Sequence, residues 1–490
     1  MRLRPRARVS LEKLRERANA HAETRNLNPI PLPNPITGFV PDVPYGPALP
    51  NENVVYLAME LALRIGEVLM SSGAGAADAT ATIIAVTSAY GLPTCEVDVI
   101  FTSISVCCHR GTELAPITTQ RVVRNRGLDY TRLLGVEDLV RRITRGKVRI
   151  YDALGELDKI TNAPHPYPRW TATAAWAGLA ASIALLIGGN ALVASIAAII
   201  TALVDRIGRV LNRYGLPAFF QQVVGGALAT AGALVVVYTG LFSDAANLQP
   251  ALVIGAAITV LLSGLSVVST VQDAITGYNV TAAGRSVEIG LTSAGLIAGV
   301  VLALNIAVAV FGLPKLQPVP SVSLQLLSIS ALTGAAAAGF FALASYATVR
   351  TILVASLAGA LGAAVYRSLQ LAGLGPITSA GVAAAVVGFA GGTLARRLRI
   401  PPVILAVSGL TPLLPGLSTY RALYDLAVTH SSRGLAELTT AIAIALALGA
   451  GVVLGEYLAQ PVRTGLGRLE RRFAGPRLAG PLRASERRLD

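Results

Sequence analysis

A series of long runs without charged residues, beginning at Trp170, constrains this chain more than any other feature of its sequence. A helix needs roughly 20 apolar residues to cross about 30 Å of hydrocarbon. The runs are 170–204, 214–243, 245–272, 289–314, 316–349, 351–366, 368–395, 400–420 and 438–455. The first is interrupted at Gly188, Gly189 and Asn190 and predicts two helices, and the short run 351–366 can use flanking residues. The sequence therefore predicts a polytopic α-helical membrane protein with ten transmembrane helices.

Composition supports this class, because 53% of the 490 residues are hydrophobic and only 14% are charged. The net charge of +14 does not indicate a nucleic-acid partner. The basic residues border the apolar runs, where the anionic headgroups of membrane lipids attract them. The three cysteines, Cys95, Cys107 and Cys108, show neither metal-ligand spacing nor a disulfide framework. We therefore expect no metal, no cofactor and a reducing compartment.

The distribution of arginine and lysine predicts the orientation. The N-terminus has no apolar segment typical of a cleaved signal, so we expect residues 1–169 in the cytoplasm. The short loops on that side then contain Arg206, Arg209, Arg213, Arg285, Arg350, Arg396, Arg397 and Arg399. The opposite side has Lys315, Arg367, Arg421 and Arg433. This excess, with a basic tail, predicts a multi-pass protein of the inner membrane with both termini in the cytoplasm.

Composition also divides the chain into segments. A basic start and proline-rich linker occupy 1–50, and residues 51–165 have helical periodicity, then β-branched alternation, then helical periodicity again. We interpret 51–165 as a small cytoplasmic α/β domain. The apolar part falls into 170–314 and 316–460, followed by the basic cytoplasmic tail 461–490.

Two short echoes relate these apolar halves. Ser263–Ser266 (SGLS) resembles Ser408–Thr411 (SGLT), and VVGGALA at 223–229 resembles FAGGTLA at 389–395. The members of each pair lie five predicted helices apart. Because five is odd, the halves must cross the membrane in opposite senses, so the sequence predicts two inverted five-helix repeats, a plan found in many secondary transporters.

In that plan the substrate binds near the bilayer midplane, where broken helices leave backbone groups without their helical partners. Pro412 and Pro415, three residues apart in an apolar run, predict such a break. The corresponding stretch 266–273 is rich in hydroxyl groups. A proline kink packed against neighbouring helices is the alternative interpretation. The candidate substrate-binding residues are Gln221, Gln222, Ser266, Gln272, Asp273, Ser408, Thr411, Pro412 and Pro415.

Asp273 is the candidate for proton coupling, because an ionisable group at the edge of a charge-free run is costly unless it has a function or a partner. Its alternative is a helix-end residue that pairs with Arg285. Tyr420 and Arg421 are gate candidates, and they equally fit an interfacial belt. Glu288 and Glu456 are interpreted as interfacial anchors; Arg396, Arg397 and Arg399 are interpreted as topology anchors.

Longer motifs resemble the threonine/serine exporter family of bacterial inner-membrane carriers. The matching stretches are RIGEVLMSSG (64–73), VTSAYGL (86–92), GLPAFFQQVVGG (215–226), VQDAITG (271–277), GGTLARRLRIPPVILAVSGLTPLLPGLSTYRALY (391–424) and GVVLGEYLA (451–459). The resemblance implies ten spans, a hydrophilic N-terminal domain, and export of L-threonine and L-serine in exchange for protons. The oligomeric state stays open, a homo-oligomer included.

Two other functions compete with this prediction. The part of the family that 51–165 resembles has been likened to hydrolases, so a membrane-anchored hydrolase is one rival, and a channel or scaffold is another. However, Ser71 and Ser72 lie in no G-x-S-x-G motif, Gly73 fits a helix C-cap, and no nucleotide-binding P-loop is present. We therefore predict a transporter without catalytic residues.

Overall fold

Helices form most of the computed structural model, which describes residues 52–109, 115–124, 127–239, 249–262, 264–312 and 325–471. The predictions for residues 1–50, for Lys315 and for the tail beyond residue 471 lie outside these ranges, as does the side chain of Arg396. The described residues belong to one compact unit.

The N-terminal segment, residues 52–162, has the predicted order of helices, strands and helices. Its elements are α1 (Glu52–Ser71), α2 (Ala76–Ala89), β1 (Cys95–Ile100), β2 (Ser103–Cys108), β3 (Ile117–Val122), α3 (Tyr130–Ile143) and α4 (Ile150–Asn162). The strands form an antiparallel sheet in the order β1-β2-β3. Gly73 ends α1 with a φ of 89°, which confirms the predicted glycine C-cap. Met59, Ile83 and Ile104 are fully buried in the core of this segment.

The cysteines differ from the expectation. The β1–β2 hairpin places Cys95 directly opposite Cys108, and the two form a disulfide, while Cys107 points to the other face as a free thiol. The sequence analysis expected no disulfide framework and did not predict this pair, because it considered only the spacing of the cysteines and did not work out the register of the hairpin. A disulfide is unusual in a reducing compartment, so this pair bears directly on the predicted sidedness.

Apolar helices follow from residue 169 onward. They are α5 (Arg169–Leu186), α6 (Ala191–Arg213), α7 (Ala218–Tyr238), α8 (Pro250–Leu261), α9 (Gly264–Ile275), α10 (Asn279–Phe311), α11 (Gln325–Ala344), α12 (Val349–Leu371), α13 (Pro376–Leu398), α14 (Pro402–Leu410), α15 (Gly416–Ala427) and α16 (Arg433–Arg471). The predicted division of the first run at residues 188–190 is confirmed.

In the described part of the chain, seven of these helices are long and apolar enough to cross a membrane, and nine spans result if each of two bent pairs counts as one. The bent pairs are α8 with α9 and α14 with α15. Helix α5 has 18 residues and is less apolar than the seven, since it begins with Arg169 and Trp170. The chain is therefore a polytopic helical membrane protein.

Close helix contacts recur in the two halves. In the first, α7 packs along α10, where Gly226 lies against Leu296 and Gly299 lies against the Val223 carbonyl. In the second, α13 packs along α16 through Gly392 and Gly455. Glycine permits this approach because a Cβ at these positions would collide with backbone or side-chain atoms of the partner helix. Each glycine pair that the sequence echo singled out therefore packs at a helix–helix contact.

Hydrogen bonds attach the N-terminal segment to the apolar helices at several places, including the following two. The Phe101 N–H donates to Thr281 Oγ1 at 3.0 Å, and that hydroxyl donates to the Val99 carbonyl at 2.9 Å. Elsewhere the Tyr130 N–H donates to the Ser345 carbonyl at 2.9 Å. These bonds join the segment to α10 and to the turn between α11 and α12.

Candidate functional site

The second broken span has the break that its prolines predict. Helix α14 passes into a single 3₁₀ turn, Thr411–Leu413, and α15 begins at Gly416, with a bend of 43° between the two arms. Leu414, which precedes Pro415, is extended (φ −63°, ψ 138°), as the residue before a proline prefers. Pro412 lies inside the turn, and neither proline has an N–H to donate. The predicted interruption at Pro412 and Pro415 is confirmed.

Two predicted polar residues lie beside this break. Ser408 is fully buried, as is the nearby Tyr130, which comes from the N-terminal segment. Thr411 is also buried and donates to the Val407 carbonyl at 2.9 Å. The space between this break and α9 is only about 10 Å³ and is apolar except for Thr411. Since that barely holds one water, the region between the two broken spans is closed in this conformation.

The first broken span consists of α8 and α9, which meet at an angle of 52°. Leu262 is extended (φ −70°, ψ 128°) where α8 ends. In α9 the Ser266 carbonyl accepts hydrogen bonds from the hydroxyls of Ser269 and Thr270. The two broken spans touch where α8 crosses α15: a Cβ at Gly416 would lie 2.5 Å from the Gly255 carbonyl oxygen. Only glycine permits this crossing.

Gln221 and Gln222 lie at a different place, on a cavity of about 430 Å³ that we call the first cavity. It is lined by residues of α5, α6, α7 and α8. Gln222 Nε2 lies 3.5 Å from the carbonyl of Leu261, the last residue of α8 before the break, and Gln221 Nε2 donates to the Leu216 carbonyl at 2.6 Å. The first cavity therefore reaches the backbone of the first broken span.

Gln272 and Asp273 lie at the junction with the N-terminal segment. Asp273 is fully buried; its Oδ2 lies 2.9 Å from Arg285 Nη1, and its Oδ1 accepts from the Ala76 N–H at 2.7 Å. Ala76 is the first residue of α2, so the carboxylate also satisfies a helix N-terminus. Arg285 Nη2 donates to the Ala74 carbonyl at 3.3 Å. The pairing of Asp273 with Arg285 is confirmed, but the pair is buried rather than facing water.

A second cavity of about 430 Å³ lies between the N-terminal segment and helices α9, α13, α14 and α16. Its wall contains Asp78, Glu137, Arg141, Gln272 and Glu456, and Gln272 Nε2 donates to Asp78 Oδ2 at 3.1 Å. Asp78 is exposed to this cavity, yet the surrounding protein still raises its pKa by desolvation. Burial raises the pKa of Glu137 to about 7, against the lowering effect of Arg141. The second cavity thus holds one carboxyl group, that of Glu137, able to bind a proton near neutral pH.

The gate candidates occupy α15. Tyr420 is fully buried, with its ring 6.2 Å from that of Tyr424, and Arg421 is partly exposed. Neither lines the two large cavities. The structure thus separates the predicted residues into three groups: one at the broken spans, one at the first cavity and one at the junction with the N-terminal segment.

Comparison with known proteins gives the family. The family model of threonine/serine exporters matches residues 60–307, and a second, described as "Threonine/Serine exporter, ThrE", matches residues 330–458. Together the two matches cover most of the described chain. The first match ends near the end of α10, and the second begins in α11. The chain belongs to the threonine/serine exporter family. It is a multi-pass membrane transporter and not an enzyme, and the resemblance found in its motifs is confirmed.

Two curated relatives extend over most of this exporter. The "Probable threonine/serine exporter" of Mycobacterium tuberculosis is 40% identical over 430 residues, which cover 86% of this chain and 80% of the relative. The "Threonine/serine exporter" of Corynebacterium glutamicum is 36% identical over 426 residues, covering 86% of this chain and 87% of the relative. No solved structure matches the chain.

Some polar residues of this exporter were not singled out by sequence patterns. Thr201, Asp205 and Arg209 line the first cavity, but Arg209 served only as a topology charge. The sequence does contain one indication of this ion pair, because Asp205 and Arg209 are four residues apart and so lie on one helix face. Asp78 and Glu137 have no such signal, because they meet only through the packing of α2 against α3.

Proposed function

We propose that this protein exports L-threonine and L-serine from the cytoplasm by alternating access, in exchange for protons. The observation that carries the proposal is the crossing of two broken spans, α8–α9 and α14–α15, at Gly255 and Gly416. Broken helices expose N–H groups that suit a carboxylate and carbonyl groups that suit an ammonium, which are the two charged groups of an amino acid. The names of the two relatives support the choice of threonine and serine.

Alternating access is supported by an internal correspondence between the halves. Helices α6 (Ala191–Arg213) and α12 (Val349–Leu371) each have 23 residues. Helix α12 begins 158 positions after α6 begins, and it ends 158 positions after α6 ends. Gly215 and Gly373, the left-handed glycines that follow them, keep the same separation. This regularity favours a duplicated unit, and the odd number of spans per unit favours an inverted one.

A polar contact repeats in the same register. Arg209 in α6 donates to Thr173 of the preceding helix, and Arg367 in α12 lies 3.3 Å from Ser330 of its preceding helix. These arginines are also 158 positions apart. In an inverted repeat they lie near opposite membrane faces, as the positive-inside assignment of Arg209 and Arg367 requires. We infer that the halves act as paired units that open alternately to each side.

The substrate path in this proposal leads to the space between the broken spans, with Thr411 on its wall and with Ser266 and Ser408 on the helices that adjoin it. That space is closed here, so transport requires the arms of the broken spans to separate. Asp273 stays our candidate for proton coupling, and its pairing with Arg285 gives protonation a consequence: a neutral Asp273 would lose its charge attraction to the guanidinium and hold the α2 N-terminus more weakly.

Orientation is part of the proposal. The arginine distribution supports cytoplasmic termini in the inner membrane, whereas a disulfide between Cys95 and Cys108 is more typical of an oxidising compartment. Labelling of Cys107 in intact cells with a membrane-impermeant maleimide decides between them. Protection until the cells are permeabilised is the expected result, and labelling of intact cells would place the N-terminal segment outside.

Export is tested in cells that lack other threonine exporters and are fed a labelled threonine dipeptide. We expect efflux against the concentration gradient only with the protein, and its collapse with a protonophore. Efflux that only follows the gradient and ignores the protonophore would indicate a channel. Equal efflux with and without the protein would reject the proposed substrates.

A further inference from the structure

The first cavity contains an arrangement of charges and hydroxyl-binding groups that the transport proposal does not use. An ion pair between Asp205 and Arg209, one helical turn apart on α6, stands on its wall. Their side chains keep 20% and 33% of their accessible surface, so both remain reachable from the cavity. A carboxylate beside a guanidinium is complementary to an α-amino acid, whose ammonium and carboxylate are separated by one carbon.

Arg209 has N–H groups that make only weak hydrogen bonds and can donate to the carboxylate of a ligand. Its Nη2 contacts both Asp205 and Thr173, while Nη1 and Nε reach backbone carbonyls only at 3.4 Å. A guanidinium has five N–H donors in a rigid fork, and carboxylates bind it in pairs of hydrogen bonds. The long contacts are weak and can be exchanged for a ligand without unfolding the helix.

Thr201 supplies a second, independent observation on the same wall. Threonines in membrane helices usually donate to the carbonyl four residues earlier, as Thr259 and Thr270 do here. Thr201 is buried, with 4% of its surface accessible, and its Oγ1 has no hydrogen-bond partner among the described residues. A buried hydroxyl without a protein partner costs free energy, so a ligand or water that supplied one would be stabilised at this position.

Gln222 completes the wall. Its Nε2 is directed to the Leu261 carbonyl, while Oε1 is buried without a partner in the described chain. An amide oxygen in this position can accept a hydrogen bond from a hydroxyl group. The volume of about 430 Å³ is within the usual range of ligand pockets and leaves room for a small amino acid with several waters.

We propose that the first cavity binds a small zwitterionic amino acid with a side-chain hydroxyl: Arg209 binds its carboxylate, Asp205 its ammonium, and Thr201 with Gln222 its hydroxyl. This inference rests on the proposed function and deepens it by assigning the site where substrate is first selected. Because Leu261 ends the helix at the first break, a ligand here lies next to the path between the broken spans. Alanine and valine would leave Thr201 and Gln222 without hydrogen-bond partners, so the proposal predicts weaker binding of both.

The test measures binding and transport separately on the purified full-length protein in lipid nanodiscs and proteoliposomes. Thr201→Val removes the hydroxyl at nearly constant shape, so we expect a roughly five- to tenfold weaker Kd for L-threonine and L-serine and little change for L-alanine. Arg209→Lys keeps the charge but loses the fork, and we expect at least a tenfold loss for all three ligands. In transport, KM should rise more than the maximal rate falls.

Two control variants come from the same helix. Arg206→Gln removes an equal charge from an exposed position outside the cavity, and Ser195→Ala removes an exposed hydroxyl. Both should keep wild-type Kd and KM. If Thr201→Val binds threonine and alanine as wild type does, the site assignment is wrong even where export persists. If wild type binds threonine through Thr201 but does not transport it, the proposed function fails and the site stands.

Discussion

Replacing Asp273 by asparagine tests what this buried carboxylate holds together. The change leaves Arg285, whose side chain is 5% exposed, without the charge that lies 2.9 Å from its Nη1. Removing one partner of a buried ion pair costs about 3–5 kcal/mol. Asparagine can still accept from the Ala76 N–H, and Arg285 keeps the Ala74 carbonyl, so we expect the lower end, about 3 kcal/mol. That corresponds to a more than hundredfold weaker attachment of α2 to the apolar helices.

Hydrogen exchange of the purified protein in nanodiscs measures this attachment directly. Backbone amides at the start of α2 should exchange at least a hundredfold faster in Asp273→Asn, and the thermal midpoint should fall. The double variant Asp273→Asn with Arg285→Met removes both charges and should recover most of the protection. Asp138→Asn is the matched control: Asp138 pairs with Arg142 at an exposed position, and such pairs contribute about 1 kcal/mol or less.

Two outcomes would refute this reasoning. Wild-type exchange at α2 in Asp273→Asn would show that the ion pair does not hold the junction. Loss of transport with unchanged exchange and thermal midpoint would assign Asp273 to proton coupling alone, separate from any structural role.

Three further predictions follow from particular contacts. Gly416→Ala should lower the thermal midpoint and abolish transport, since its Cβ would collide with Thr259 and a backbone carbonyl, at a cost of about 1–3 kcal/mol. Glu137 has a pKa of about 7 in the folded protein against an ordinary 4.5. Because folding favours its protonated form, the free energy of unfolding should fall as pH rises from about 4.5 to 7. In Glu137→Gln, the thermal midpoint should lose this dependence on pH. Maleimide should label the unfolded protein once, at Cys107, without reductant and three times after reduction.

Each of these three predictions has a control variant or an outcome that would contradict it. Gly290→Ala, at an exposed helix position with open space around its Cα, should be neutral or slightly stabilising. A steeper pH slope in Glu137→Gln than in wild type would contradict the raised pKa. Labelling of three thiols before reduction would mean that the hairpin cysteines are not joined.

The sequence predicted features that local chemistry decides. Pro412 and Pro415 break their span because proline lacks an N–H wherever it occurs, and residues 188–190 divide the first run for reasons equally local. The junction could not be predicted in the same way, since Asp273 binds a backbone N–H 197 residues away. The disulfide lies between these cases: the register of a two-residue hairpin follows from the strands, and working it out would have paired Cys95 with Cys108.

The first cavity shows another limit. Asp205 and Arg209 are visible as a helical pair in the sequence, but a pair at this spacing is usually a solvent-facing stabiliser. The pair becomes part of a candidate binding site only because α5, α7 and α8 pack around it and place Gln222 on the same cavity wall as Thr201. Tertiary packing, which a single sequence does not reveal, converts a common surface motif into a candidate binding site.

Transport in proteoliposomes with an imposed pH gradient tests the central claim most directly. Purified protein is reconstituted with labelled L-threonine on one side, and the gradient is applied in either direction. We expect accumulation of threonine against its own gradient when protons flow the opposite way, competition by L-serine, and loss of accumulation in Gly416→Ala. Equilibration of threonine without accumulation, unaffected by the pH gradient, would contradict proton-coupled export.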